Sequence, residues 1–270
     1  MYSGSTLKGM RYFDAWFGAH QKIDRVARLH LERLRPGIAF PKRKDILRFE
    51  GMDGPDGIKR KTPAQDEPKH FFNPEDANDT ELLAIIHDHY TRLVGALREG
   101  NETRASFEAA WLAHAVVDGL TPAHQYPYEK ELVRLRQGAT DADVSGPKEK
   151  LLMPGGTLAE RLSNNWQMWG DKGLLATHIA FEIGIAVLVT PLRLRRAMPD
   201  AAELQAAAKR TIEQLFTERA RQIDGLHMYE QFYKSGWTPR LAKAVRRQLM
   251  PVIVNTVTLM WYKAAMEAAA

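Results

Sequence analysis

From residue 81 onward the apolar side chains recur with the period of a helix, and this periodicity narrows the choice of fold more than any other feature. Glu81 to Arg98 sets Leu82, Ile85, Ile86, His89, Leu93 and Leu97 on one stripe, behind an Asn78, Asp79, Thr80 cluster suited to start a helix. Gly100 and Asn101 end it. A second helix is predicted from about Thr103 to Asp118, with Phe107, Trp111, Ala115 and Val116 in register and Gly119 and Pro122 as its stop. Similar patterns predict helices at about Tyr12 to Arg35, Leu158 to Trp169, Leu174 to Val189, Ala201 to Ile223 and Pro239 to Ala268. The expectation is an all-α, single multi-helix domain spanning residues 1–270.

Two polar stretches interrupt the helices, one from Pro36 to about residue 75 and one from Gly138 to Gly156, and neither alternates as a strand would. An unstructured run of nearly forty residues is uncommon inside a compact domain and is usually functional where it occurs. With 44% hydrophobic and 26% charged residues, the 270-residue chain has an ordinary globular composition, which excludes disorder and a polytopic membrane protein. The apolar stretch from Gly173 to Leu192 has the length of a membrane span, but His178 and Glu182 lie in its middle, so a buried core helix is expected and no transmembrane segment. The first residues show no apolar run of the signal-peptide type, which points to a cytoplasmic or peripheral membrane location.

The chain has no cysteine. Thiol nucleophiles, disulfides, iron-sulfur clusters and cysteine-ligated zinc are therefore excluded, and metal chemistry must draw on histidine, carboxylate and water. His114 and Asp118 lie one helical turn apart and so leave the same helix face, while the stop at Gly119 and Pro122 turns His124 back toward them. His178 and Glu182 repeat that spacing within an apolar helix, where an unpaired carboxylate is costly unless it is protonated or bound to a cation. His20 and Asp24 form a third such pair. A single pair of this kind is more often a hydrogen-bonded or solvated pair than a ligand set; three pairs together with His70 and His124 favour a metal centre. His87 and His89 diverge around their helix, so both cannot face one ion, and His89, on the apolar stripe, is expected in the core or behind the ligands.

The ordered set of early His20, His70 with Phe71, Phe72, Asn73 and Pro74, then His114, Asp118, Pro122 and His124, then His178 and Glu182, resembles the zinc-dependent phospholipase C family, whose fold is shared with fungal single-strand nucleases. The resemblance runs over about residues 12 to 265. Val117 departs from it, since the family commonly has glycine before the key acid. It implies a polynuclear site of two or three Zn2+ ions. Asp56, His70, His114 and Asp118 would hold the first ion, and His124, His178 and Glu182 the second. Asp118 would bridge to a third ion also held by His20. Asp53 is the alternative to Asp56. In the family the third ion is completed by the amino group and carbonyl of a mature N-terminal tryptophan; here Asp24 or Asp14 is the substitute considered, with a surface role for either as the competing possibility. Asp56 would also be the catalytic residue, orienting or deprotonating the attacking water.

By that resemblance the chain is a zinc-dependent phosphoric diester hydrolase, phospholipase C-like, in which a metal-activated water attacks phosphorus. Glu182 and the fourteen-residue interval from Asp56 to His70 favour the phospholipases over the nucleases, whose second-site acid is aspartate. The expected partner is a phosphate-ester substrate, phospholipid first and nucleic acid second, with peripheral membrane contact. A non-catalytic, metal-stabilised protein that binds a membrane or an anion is the alternative from another class. The gap from His124 to His178 is longer than in the phospholipases or the nucleases, so residues 125–177 are read as an insertion. Its Tyr126, Tyr128, Trp166 and Trp169 either cover the insertion's own small core or meet bases or lipid. The net charge of +5 and the basic clusters at 42–44, 59–61, 193–196 and 240–247 suit anionic partners, although solvated surface is the commoner explanation.

Overall fold

The computed structural model describes residues 1, 18–50, 54–58, 69–140, 143–144 and 151–270. Among these the regular elements are helices only, as the periodicity predicts: α1 (Ala19–Leu34), α2 (Arg43–Arg48), α3 (Pro55–Ile58), α4 (Glu81–Arg98), α5 (Glu102–Gly119), α6 (Tyr128–Leu135), α7 (Leu158–Trp169), α8 (Leu174–Val189), α9 (Ala201–Ala208), α10 (Ile212–Asp224), α11 (Met228–Ser235), α12 (Pro239–Ala244) and α13 (Met250–Ala268).

The centre of the molecule is α5. Its run of alanines lets neighbouring helices approach closely, and residues from Ala105 to Gly119 are buried on most sides. Asn101 caps it by accepting a hydrogen bond from the Arg104 amide, and Gly100, at a φ of +66°, turns the chain back from α4. α4 and α5 therefore pack as an antiparallel pair, and α13 closes over α1, α4 and α5. At the end of α5, Gly119 has no room for a side chain: a Cβ there would lie 2.5 Å from both Leu82 and Phe216. A glycine is thus needed directly after Asp118, while Val117 before it is fully buried.

Three sequence expectations change. The stretch 36–75 is not structureless, because its described part contains α2 and α3. The helix expected over Ala201 to Ile223 is two helices, since Thr211 accepts a hydrogen bond from the Gln214 amide and starts α10 afresh. The helix expected over Pro239 to Ala268 is divided by a π-helical segment at Val245–Leu249, just before Pro251, whose ring cannot follow a regular turn. Of the helix expected from Tyr12, residues 12–17 lie outside the described ones.

The stretch Leu158–Val189 is long and apolar enough to cross a membrane by length and composition. It is two helices, broken at residues 170–173, where Lys172 takes a φ of +57°. α8 is held edge-on to the body at Gly184, over which the Trp237 indole packs so closely that a Cβ would lie 2.1 Å from its nitrogen.

Candidate metal centre

The ligand positions proposed from the sequence gather in one cluster of adjoining groups. α1 brings His20, α3 brings Asp56, the irregular segment before α4 brings His70, α5 brings His114 and Asp118, the short 3-10 turn Pro122–His124 brings His124, and α8 brings His178 and Glu182. His20, His70, His114, Asp118, His124 and His178 are all buried, and Asp56 and Glu182 are the more open members.

Asp118 is the hub. Its Oδ2 lies 2.5 Å from His70 Nδ1 and 3.1 Å from His114 Nε2, while its Oδ1 lies 3.2 Å from His20 Nε2 and 3.7 Å from His124 Nδ1. Asp56, His70 and His114 offer ligand atoms within 4.8 Å of one another, and so do His124, His178 and Glu182. The second group is the set proposed for the second ion, and the first is the set proposed for the first ion without Asp118, whose Oδ2 lies beside His70 and His114. Within the second, Glu182 Oε1 is 2.8 Å from His124 Nε2 and 3.3 Å from His178 Nε2, and the two imidazoles stack with centroids 5.0 Å apart.

Second partners fix the orientation of the rings. His124 Nδ1 donates to the His70 carbonyl at 3.1 Å, which turns Nε2 toward Glu182. His114 Nδ1 lies 3.0 Å from Glu50 Oε1, and a carboxylate there can only accept, so His114 Nε2 is the atom directed at Asp118. His20 is arranged alike, with Nδ1 3.4 Å from Glu50 Oε1 and its ring stacked on His114 at 4.2 Å. One buried carboxylate therefore stands behind two imidazoles. Such a backing group fixes the tautomer of a metal-ligating histidine.

Glu50 was not identifiable from the sequence. It follows the charged run of α2 and resembles a solvated loop acid; only the packing of α2 against α1 and α5 takes it inside. The neighbouring acids can be sorted as well. Asp56 belongs to the centre, whereas its alternative, Asp53, and the possible substitute Asp14 lie outside the described residues. Asp24 is buried, which removes the surface role weighed for it. Burial, then the nearby charge of Glu50, holds its carboxyl well above the ordinary range.

The amino group of Met1 also lies in the cluster. It lies 2.6 Å from Asp118 Oδ1 and 3.0 Å from Glu182 Oε1, touching acids of both ligand groups. Burial opposes its charge, but these two carboxylates outweigh that and raise its pKa to about 10. Burial likewise opposes ionisation of Asp118, yet the amine and the imidazoles of His114, His124 and His20 hold its pKa well below the usual range. Glu182 is depressed in the same way, against its burial, by the amine and His178. His114 is raised, against its burial, by Glu50 and Asp118, whereas burial and the amine lower His124 to about 4. The cluster thus calls for positive charge at its middle.

These donors fit a metal ion of borderline softness. Both nitrogens of His20 and Nε2 of His114 are buried without a hydrogen bond of acceptable geometry, although carboxylate oxygens stand close by. Nitrogen and oxygen donors at such spacings suit zinc and other divalent first-row ions.

The aromatic residues of the insertion divide. Tyr128 stacks on Phe71 with centroids 5.1 Å apart and is buried, and Tyr126 packs on Tyr229, so these two serve the interior. Trp166 and Trp169 are exposed. Among the remaining histidines, His89 is buried with Nδ1 2.6 Å from Glu108, as its place on the apolar stripe suggested, and His87 points away to Glu213. Comparison of the chain with protein-family models, with curated proteins and with solved structures found no match.

Proposed function

We propose that the chain is a zinc-dependent phosphodiester hydrolase of the phospholipase C type. The observation that carries this reading is the convergence of His20, His70, His114 and His124 on Asp118, with the groups Asp56–His70–His114 and His124–His178–Glu182 beside it. Asp56, His70, His114 and Asp118 would hold one ion, His124, His178 and Glu182 a second, and His20 with Asp118 a third. Bound zinc supplies Lewis acidity toward the phosphoryl oxygens and lowers the pKa of water.

The chain's own residues do the rest. Asp118 keeps the ligand groups together through its two oxygens, and its low pKa leaves it ionised at neutral pH. Asp56, the carboxylate at the more open edge, would orient water or take its proton as the oxygen attacks phosphorus and the ester oxygen leaves. Glu50 holds two rings in place from behind. Phospholipid is favoured over nucleic acid because Glu182, rather than aspartate, completes the second group, and because an outward Leu and Trp surface adjoins α8.

Metal analysis tests the centre first: about two or three zinc per folded chain are expected, and Asp118→Ala should reduce this to about one or none. Fewer than about one zinc in the folded parent would end the proposal. Parallel assays with phosphatidylcholine, single-stranded DNA and a chromogenic phosphodiester then assign the substrate. Cleavage of DNA alone would make the protein a nuclease, and silence on all three with zinc bound would make it a metal-stabilised binding protein.

A further inference from the structure

α7 carries an exposed apolar stripe. Leu158, Leu162, Trp166 and Trp169 form one stripe at helical spacing, and they are 73, 65, 67 and 41% exposed. Two of its polar residues, Asn164 and Asn165, turn to the protein. The Asn165 side chain accepts from the Met153 amide at 3.0 Å and donates to the Met153 carbonyl at 2.9 Å, while Asn164 donates to the Pro154 carbonyl at 2.7 Å. Gln167 accepts from Arg134, and Met168 is the helix's one buried residue. Even Trp169 has its N–H bonded inward, to the Leu151 carbonyl at 2.7 Å, which leaves its ring bare and without polar demand.

Exposed apolar residues continue beyond this helix, with Leu151 and Leu152 before it and Ile179, Ile183 and Val187 on the outer face of α8. Among the described residues most of the exposed large hydrophobic side chains fall between Leu151 and Val187. Concentration of this kind on two consecutive helices, with the polar groups already satisfied inside, marks a surface that works against something other than water.

We propose that the α7 and α8 outer face docks on a bilayer surface containing anionic phospholipid. Two observations select this occupant. The indoles of Trp166 and Trp169 next to leucines have the composition of a helix lying in the interfacial zone. Exposed cations flank the apolar surface: Arg161 on α7, Lys172 in the turn, and Arg193, Arg195 and Arg196 after α8. Of the acids nearby, Glu160 is held by the Gly156 and Thr157 amides, and Asp171 is exposed beside Lys172, so the flanks keep a net positive charge. A second copy of the chain in a twofold contact would bring like basic flanks together, whereas anionic headgroups neutralise them. Docking would set α8 on the membrane with His178 and Glu182 on its inner side, one helix thickness from the lipid. The docking surface goes beyond the hydrolase reading and does not depend on turnover.

Flotation of the full chain with phosphatidylcholine–phosphatidylserine vesicles tests it. The protein should float with these vesicles, less so in high salt and less with phosphatidylcholine alone, and Leu162→Gln with Trp166→Gln should weaken partition about tenfold or more at unchanged metal content. Fluorescence of the parent should be quenched by brominated lipid, and Trp166→Phe should remove part of that quenching. No flotation, equal flotation of the double variant, or absence of quenching would overturn the proposal. So would a parent that sediments as a dimer and a double variant that sediments as a monomer, which would make the face a contact between copies. Because no reaction is read, a chain that floats but hydrolyses nothing leaves the docking surface standing and removes only the hydrolase reading.

Discussion

Around α5, ionisable groups lie inside: Asp118, His114, His20 and Glu50 are buried, each facing an oppositely charged or chargeable neighbour. On α7 the neutral amides of Asn164 and Asn165 turn inward beside the buried Met168, and leucine and tryptophan face out. The first arrangement is costly unless a cation completes it, because burying charge without a partner is among the largest penalties a fold can carry. The second gives up burial of leucine and tryptophan that the chain had available. Each region departs from ordinary globular packing, and in each the departure indicates what is meant to arrive there: an ion at the centre, an apolar phase at the rim.

The centre is the more sensitive of the two, and Glu50→Gln tests it with the largest expected effect. The substitution keeps the shape of the side chain but removes the charge behind His20 and His114, so zinc affinity should fall about 10- to 100-fold in a chelator competition. Unchanged affinity would show that the rings are held by packing alone. At the rim the matching test is Asn165→Ala. Loss of its two hydrogen bonds to Met153 should loosen residues 151–169 by about 1 to 3 kcal/mol, read as faster amide exchange there, with exchange in α5 and zinc content unchanged. If the melting of the whole chain falls with it, the two regions unfold together and the contrast between them is one of composition only.

The difference between the regions also explains what the sequence made legible. His114 with Asp118 and His178 with Glu182 could be read because one helical turn fixes where both side chains go. Asp56 and His70 came only through their order along the chain. Glu50 and the Met1 amine could not be read at all, since nothing local separates a buried loop acid from a solvated one and no periodicity relates residue 1 to residue 118. On α7 the helix and its stripe were evident, but not which way the stripe faces, because periodicity gives an axis and leaves its direction to tertiary contacts. Pro251 and Thr211 gave local signals of a break that the long periodic runs on either side outweighed.

The smallest expected effect concerns His30, a buried imidazole on α1 that takes no part in the ligand groups. Burial first, and the charge of Arg33 second, lower its pKa from 6.5 to about 4. Between those two values the unfolded chain binds a proton at this position and the folded chain does not, so acidification favours unfolding and stability rises with pH across the window. The most one such group can contribute is a slope of about 1.4 kcal/mol per pH unit. His124 in the metal-free chain acts in the same direction over the same range. His30→Gln should therefore flatten, without abolishing, the rise in melting temperature between about pH 4 and 6.5, while amide exchange in α7 stays as in the parent. A slope that is unchanged would mean that His30 is protonated in the folded chain, and that the interior around α5 accepts an unpaired cation more readily than its charge pairing suggests.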